Sequence, residues 1–223
     1  MRKILIAALL MTLVASCNKK PSEQKSDCLA MTIEEIQALI ETVKAMPLEP
    51  VAENEVAELQ TNFGTLVLEF FPEKAPQHTS AFKRLINAGY LECTTFHRLV
   101  PGFMIQGGDI LTRDEDPQND GKGPGPGYRL MAEFNDIPHD RGIVSMARTQ
   151  DPNSAGSQFF ICFSREKSRH LDGLYTVFAR VIEGEDVLAK MEQIPTVDNP
   201  NYGSEKSKPT ETIRIESAIM KMR

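Results

Sequence analysis

Residues 96–109 read FHRLVPGFMIQGGD. One permanent cation, Arg98, and one amide, Gln106, are set among Phe96, Leu99, Val100, Phe103, Met104 and Ile105. The stretch holds no evident nucleophile, no pair of metal ligands and no phosphate-cradling loop. What remains is a donor in an apolar wall, within the short strand-like runs 93–98 and 103–106. Such a site suits a reaction that needs a clamp and a hydrogen-bond donor rather than a covalent attack.

Reading outward, EVAELQTNFGTLVLEFF from Glu55 alternates around a turn at 62–64 and predicts a β-hairpin. Pro76 opens PQHTSAFKRLINAGY, where Phe82, Leu85 and Ile86 share a face and Gly89 ends the helix. Further strand-like runs cover 142–146, 158–163 and 175–181. GEDVLAKMEQI makes a second helix and TIRIESAIM a last alternating strand. Seven or eight strands with two helices in one domain, 51–223, predict a mainly β fold. The expected form is a closed eight-stranded antiparallel barrel capped by two α-helices, since closure removes edge strands. The loop 116–128 is rich in Gly and Pro. Its Gly123, Gly125 and Gly127 do not match a dinucleotide fingerprint.

The chain has 223 residues, 41% of them apolar, enough for one substantial core and an appendage. Its net charge of −6 argues against nucleic acid as a partner. MRKILIAALLMTLVASC, residues 1–17, has a basic start, a short apolar run and small residues before Cys17. The run is too short to span a membrane with these flanks and reads as an export signal. VASC resembles a bacterial lipobox, in which Cys17 is lipidated and becomes the mature N-terminus. That predicts a protein anchored to a membrane and facing the periplasm or the cell exterior. Residues 18–30 follow as a polar tether expected to be disordered. Within 31–50, Ile36, Leu39, Ile40 and Val43 recur at helical spacing, behind a Thr32–Glu35 capping box and ahead of Pro47. Beyond Cys17, Cys28, Cys93 and Cys162 form an odd set that gives no disulfide framework. Cys93 and Cys162 sit in apolar runs and are expected to be small buried hydrophobes rather than a disulfide or catalytic pair.

Conventional active sites fail on inspection. His78, His97, His139 and His170 do not pair at ligand spacing, so no metal is expected. AGSQF around Ser157 lacks the nucleophile-elbow pattern. The polar residues left inside apolar strand segments are Arg98, Gln106, Arg148 and Gln158. The two glutamines lie in similar runs, FMIQGGD and GSQFFI, which favours a shared pocket.

FHRLVPGFMIQGGD, GIVSMART, GSQFFI and HLDGLYTVFARVIEG resemble, in that order, the signature blocks of the cyclophilin-type peptidyl-prolyl cis-trans isomerases. The similarity runs from about residue 55 to about 220. It implies an eight-stranded antiparallel barrel with two helices, a monomer acting on proline-containing polypeptides, and no cofactor. It also implies a catalytic group of Arg98, Phe103 and Gln106. Met104, Phe160 and Leu171 would receive the proline ring, Gln158 would line the pocket, and Ala147 would offer a backbone contact. Arg148, His170 and Tyr175 border the substrate where the best-known eukaryotic members have asparagine, tryptophan and histidine. Losing that tryptophan implies weaker cyclosporin recognition. His97 is expected to be structural. The alternative function is a module that binds proline segments as a chaperone or scaffold with little turnover.

Overall fold

The structure, a computed structural model, describes residues 28–123, 125–203 and 205–223. The predicted export signal, Cys17 and residues 18–27 of the predicted tether lie outside the described residues.

Helix α1 (Ile33–Ala45) begins where the capping box predicts. The Thr32 N–H donates to Glu35 Oε2 at 2.8 Å, and the Glu35 N–H donates to Thr32 Oγ1 at 3.2 Å. Ile36, Ile40 and Val43 are buried against the main core. Each apolar side chain buried this way contributes about 1.5–3 kcal/mol. Arg84 ties the end of the helix by donating to the Met46 carbonyl at 3.0 Å.

The predicted hairpin is β1 (Glu55–Thr61) and β2 (Gly64–Phe70), with Thr61 opposite Gly64 across a two-residue loop. Gly64 has φ 126°, and a Cβ there would lie 2.7 Å from Val187, so the turn needs glycine for both reasons. Helix α2 (Pro76–Asn87) follows, then β3 (Arg98–Val100), β4 (Met104–Gly107), β5 (Ile143–Met146) and β6 (Phe159–Cys162). The chain continues through α3 (Arg165–Ser168), β7 (Val177–Glu183), α4 (Glu185–Glu192), β8 (Thr196–Asp198), β9 (Lys206–Pro209) and β10 (Ile215–Met222). Eight strands form one antiparallel sheet in the order β10-β1-β2-β7-β5-β6-β4-β3, while β8 and β9 form a separate hairpin.

Two expectations are corrected here. The sheet is a curled, open half-barrel, not a closed barrel, and among the described residues a four-residue helix, between β6 and β7, joins the three helices that the sequence predicts. Strand β3 covers only Arg98–Val100: the chain is still turning at Cys93, left-handed at φ 62°, with the Thr94 N–H donating to the Leu91 carbonyl, and Thr95 makes only an isolated bridge. Among the described residues the two edges meet through an isolated bridge between Thr95 and Arg214 and through backbone hydrogen bonds from Cys93 and Phe96 to the Ile215 and Ile213 carbonyls. Irregular register between β1 and β10, β2 and β7, and β5 and β7 supplies the curl.

The curled sheet has two faces with different jobs. Inward, Phe82 of α2 meets Phe159 edge-on at 5.2 Å and Phe178 at 5.0 Å, and Phe96 meets Phe159 at 5.9 Å. Outward, Met104, Phe160, Cys162 and Leu171 form a second buried cluster, with Val100, Phe103, Ala147 and Tyr175 packed on it. The alternation of side chains along β4 and β6 accounts for the division.

The cysteine expectation is overturned for Cys93. Cys28 and Cys93 form a disulfide, with Cα atoms 5.4 Å apart and a sequence separation of 65. Cys162 is the buried hydrophobe expected, its thiol pushed up to about 12 by burial. The bridge ties the arm before α1 to the segment that enters β3. In the chain-entropy model a closed loop of this length stabilises the fold by about 4 kcal/mol. Reduction, or Cys28→Ser, should therefore lower the melting temperature by many degrees. An unchanged melting curve after mass spectrometry has verified reduction would contradict this.

Candidate active site

Strand pairing assembles the site. Arg98 of β3 lies opposite Gln106 of β4, and Gln106 lies opposite Phe160 of β6, so all three project from one face. Arg98 Nη1 donates to Gln106 Oε1 at 3.1 Å. Gln106 Nε2 donates to Gln158 Oε1 at 2.9 Å, and Gln158 Nε2 donates to the Gly121 carbonyl at 3.2 Å. This amide relay turns the Gln106 carbonyl oxygen toward the guanidinium. The two glutamines do share one pocket.

That pocket is a cavity of about 700 Å³. Arg98, Phe103, Gln106, Met104, Ala147, Arg148, Gln158, Phe160, His170, Leu171 and Tyr175 all line it, so every residue predicted for catalysis or substrate contact is brought to one place. Its floor is apolar: Met104, Phe160 and Leu171 are buried. Phe160 packs edge-on against Tyr175 at 5.6 Å, and Phe103 faces the His170 ring at 5.6 Å. Arg148 lies flat over Tyr175, 4.5 Å from its ring centroid, and donates to the Leu174 and Thr149 carbonyls. Gly121, Lys122 and Tyr128 extend the cavity into the Gly-rich loop.

Two residues in the site had no sequence signal. Glu205 grips Arg98 from behind, its Oε1 accepting from Nε and its Oε2 from Nη2, each at 2.7 Å. Tyr202 places its ring 4.9 Å from the Arg98 guanidinium carbon. Both come from the β8–β9 connection, whose sequence NPNYGSEKSK is polar and lacks strand periodicity.

Two groups beside Arg98, His97 and Tyr202, are held uncharged. His97 lies 3.1 Å from the Tyr202 hydroxyl, and burial, then the neighbouring Arg98 charge, pushes its pKa down to about 4. Burial pushes Tyr202 up to about 12. Neither exchanges protons near neutrality, which agrees with a structural role for His97. A Ser145–His139–Asp172 chain lies beneath the pocket, with His139 3.1 Å from Ser145 Oγ and 3.0 Å from Asp172 Oδ1. The order suggests a hydrolase, but Ser145 and His139 are fully buried and the Ser145 hydroxyl donates to the Thr176 carbonyl. No substrate reaches it. The chain instead holds the His139 ring stacked against Phe160, at 6.1 Å. Among the described residues no group of three or more His, Cys, Asp or Glu side chains converges as a metal site would.

Residues 56–220 match the model of the family described as cyclophilin type peptidyl-prolyl cis-trans isomerase/CLD. The chain belongs to this family. A probable peptidyl-prolyl cis-trans isomerase of Brucella abortus is 40% identical over 145 residues, covering 63% of this chain and 73% of that one. The isomerase of Synechococcus elongatus is 43% identical over 131 residues, 59% of this chain and 83% of the other. A Cryptosporidium parvum cyclophilin-type isomerase, whose crystal structure was determined in the presence of the dipeptide Ala-Pro, superposes with a TM-score of 0.65 at 32% identity. It covers 75% of this chain and 99% of its own. This cyclophilin is thus a peptidyl-prolyl cis-trans isomerase.

The buried histidine sets a pH dependence. An unfolded histidine binds a proton near pH 6.5, whereas folded His97 resists until about 4. Across that window the unfolded state holds more protons, so stability falls as pH falls. His78 and His139, also lowered mainly by burial, act in the same direction; Asp120, raised by burial to about 6, opposes them. Replacing His97 by Gln should make the acid-side decline in melting temperature shallower than in the wild type. Parallel slopes in differential scanning calorimetry would contradict the assignment.

Proposed function

We propose that Arg98 catalyses rotation about X–Pro bonds by donating a hydrogen bond to the imide nitrogen of the twisted amide, while the apolar pocket grips the proline ring. The observation that carries this reading is a guanidinium at the rim of a pocket walled by Phe103, Met104, Phe160 and Leu171. The amide resists rotation by ~18–20 kcal/mol because the nitrogen lone pair conjugates with the carbonyl. Uncatalysed exchange takes tens to hundreds of seconds and can limit folding. Twisting ends the conjugation and returns an acceptor lone pair to nitrogen. A donor aimed there gains its bond chiefly in the transition state, which raises turnover rather than substrate affinity alone. Arginine suits the task because it stays charged at any relevant pH and presents its N–H groups in a fixed plane.

The magnitudes are compatible. A 10⁴-fold acceleration requires about 5.5 kcal/mol. One preorganised donor typically supplies ~2.7–4 kcal/mol. The dry wall strengthens that bond and holds the ring while the preceding carbonyl swings, which accounts for the remainder. The Ala-Pro dipeptide present with the Cryptosporidium relative supports proline-containing peptides as the ligand class.

The clients we propose are unfolded or secreted chains met outside the cytoplasm, by a monomer anchored through lipid on Cys17. The Cys28–Cys93 disulfide supports an oxidising compartment, because such bonds persist there and are rare in the cytosol.

Arg98→Ala should cut turnover on a proline peptide by about two orders of magnitude or more while peptide affinity changes little. Phe103→Ala should weaken both. Unchanged turnover in Arg98→Ala removes the proposed mechanism, and strong peptide binding without turnover in the wild type favours a holding module. Cys17→Ser should move the protein from the membrane fraction to the soluble one; retention on membranes would count against the anchor.

A further inference from the structure

We infer that Glu205 is a positioning residue for isomerisation: its carboxylate fixes the plane and direction of the Arg98 guanidinium. The inference rests on the assignment of Arg98 as the donor. Glu205 engages Nε and Nη2 at 2.7 Å each, and Gln106 engages Nη1 at 3.1 Å from a different strand. Two bonds to one carboxylate set the plane, and the third sets the rotation within it. The Tyr202 ring beside the group adds a flat support. A guanidinium carries five N–H donors, and three are used here. One N–H is left on each terminal nitrogen for a substrate.

The contact is built into the fold. The Asn199 N–H donates to the Glu205 carbonyl at 2.9 Å, and Asn199 Nδ2 donates to the His97 carbonyl at 3.3 Å. Asn199 is itself buried. The backbone of Glu205 is thereby tied to the residue preceding Arg98 through one intermediate, and β9 packs beside β3. The hairpin that the sequence did not signal delivers this carboxylate to this cation.

Glu205 is about one third exposed, and exposed ion pairs add little to stability. The consequence lies in geometry. An arginine side chain has several rotatable bonds, and a donor ordered only at the transition state loses rate for that ordering. A carboxylate that merely quenched the guanidinium charge would have the opposite effect, so the two possibilities differ in sign.

Exchange NMR on a proline peptide, using the full chain, separates them. Glu205→Ala should lower kcat about tenfold with KM within about twofold and the melting temperature nearly unchanged. Glu205→Gln, which keeps an acceptor oxygen, should fall between. In an Arg98→Ala background Glu205→Ala should cause no further loss, as expected of residues acting as one unit. An unchanged or raised kcat in Glu205→Ala, a loss confined to KM, or an equal loss without Arg98 overturns the inference. A silent Arg98→Ala in an active wild type overturns the arginine mechanism instead, so the two failures are distinguishable.

Discussion

Everything at the site depends on the register in which β3, β4 and β6 pair. Side chains alternate along a strand, so the register that sends Leu99, Ile105 and Phe159 into the core also sends Arg98, Gln106 and Phe160 to the pocket. A slip of one residue would exchange the two sets. The aromatic packing of Phe82, Phe96 and Phe159 penalises such a slip. So does Gly107, where a Cβ would come within 2.8 Å of Phe96. The core holds the site in place without any of its residues touching a substrate.

How legible this was depends on the distance over which each signal acts. The capping box at Thr32, the hairpin around 62–64 and the two similar glutamine runs are local patterns, and the structure keeps them. The eleven pocket residues were placed by family resemblance joined to that pattern, and they converge. Three features were not legible. The late start of β3 goes with the backbone at Cys93, where a left-handed residue opens what reads as a strand. The disulfide joins residues 65 apart, and an odd cysteine count conceals a pair. The β8–β9 hairpin is short, polar and interrupted by Asn, Pro and Gly, so no hydrophobic period marks it. Its partners lie about a hundred residues away in sequence, at His97 and Arg98.

The electrostatic arrangement around Arg98 is economical. Neighbours that might titrate are held neutral, His97 by burial and the adjacent cation, Tyr202 by burial alone in the main. Glu205 is instead held below the usual carboxylate range, first by its hydrogen bond to Arg98. The guanidinium therefore meets the Glu205 charge on one edge and two neutral rings, His97 and Tyr202, beside it.

The bridge between Cys28 and Cys93 also has a mechanical meaning. Any pull on the chain ahead of Cys28 passes through sulfur to Cys93, at the root of the segment leading to β3. Helix α1, the β1–β2 hairpin and α2 all lie inside the closed covalent loop and carry none of that load. Without the bond, tension would peel α1 from its groove first and open the core from the amino-terminal side. With it, force enters the domain five residues from Arg98, where the sheet is backed by the aromatic core.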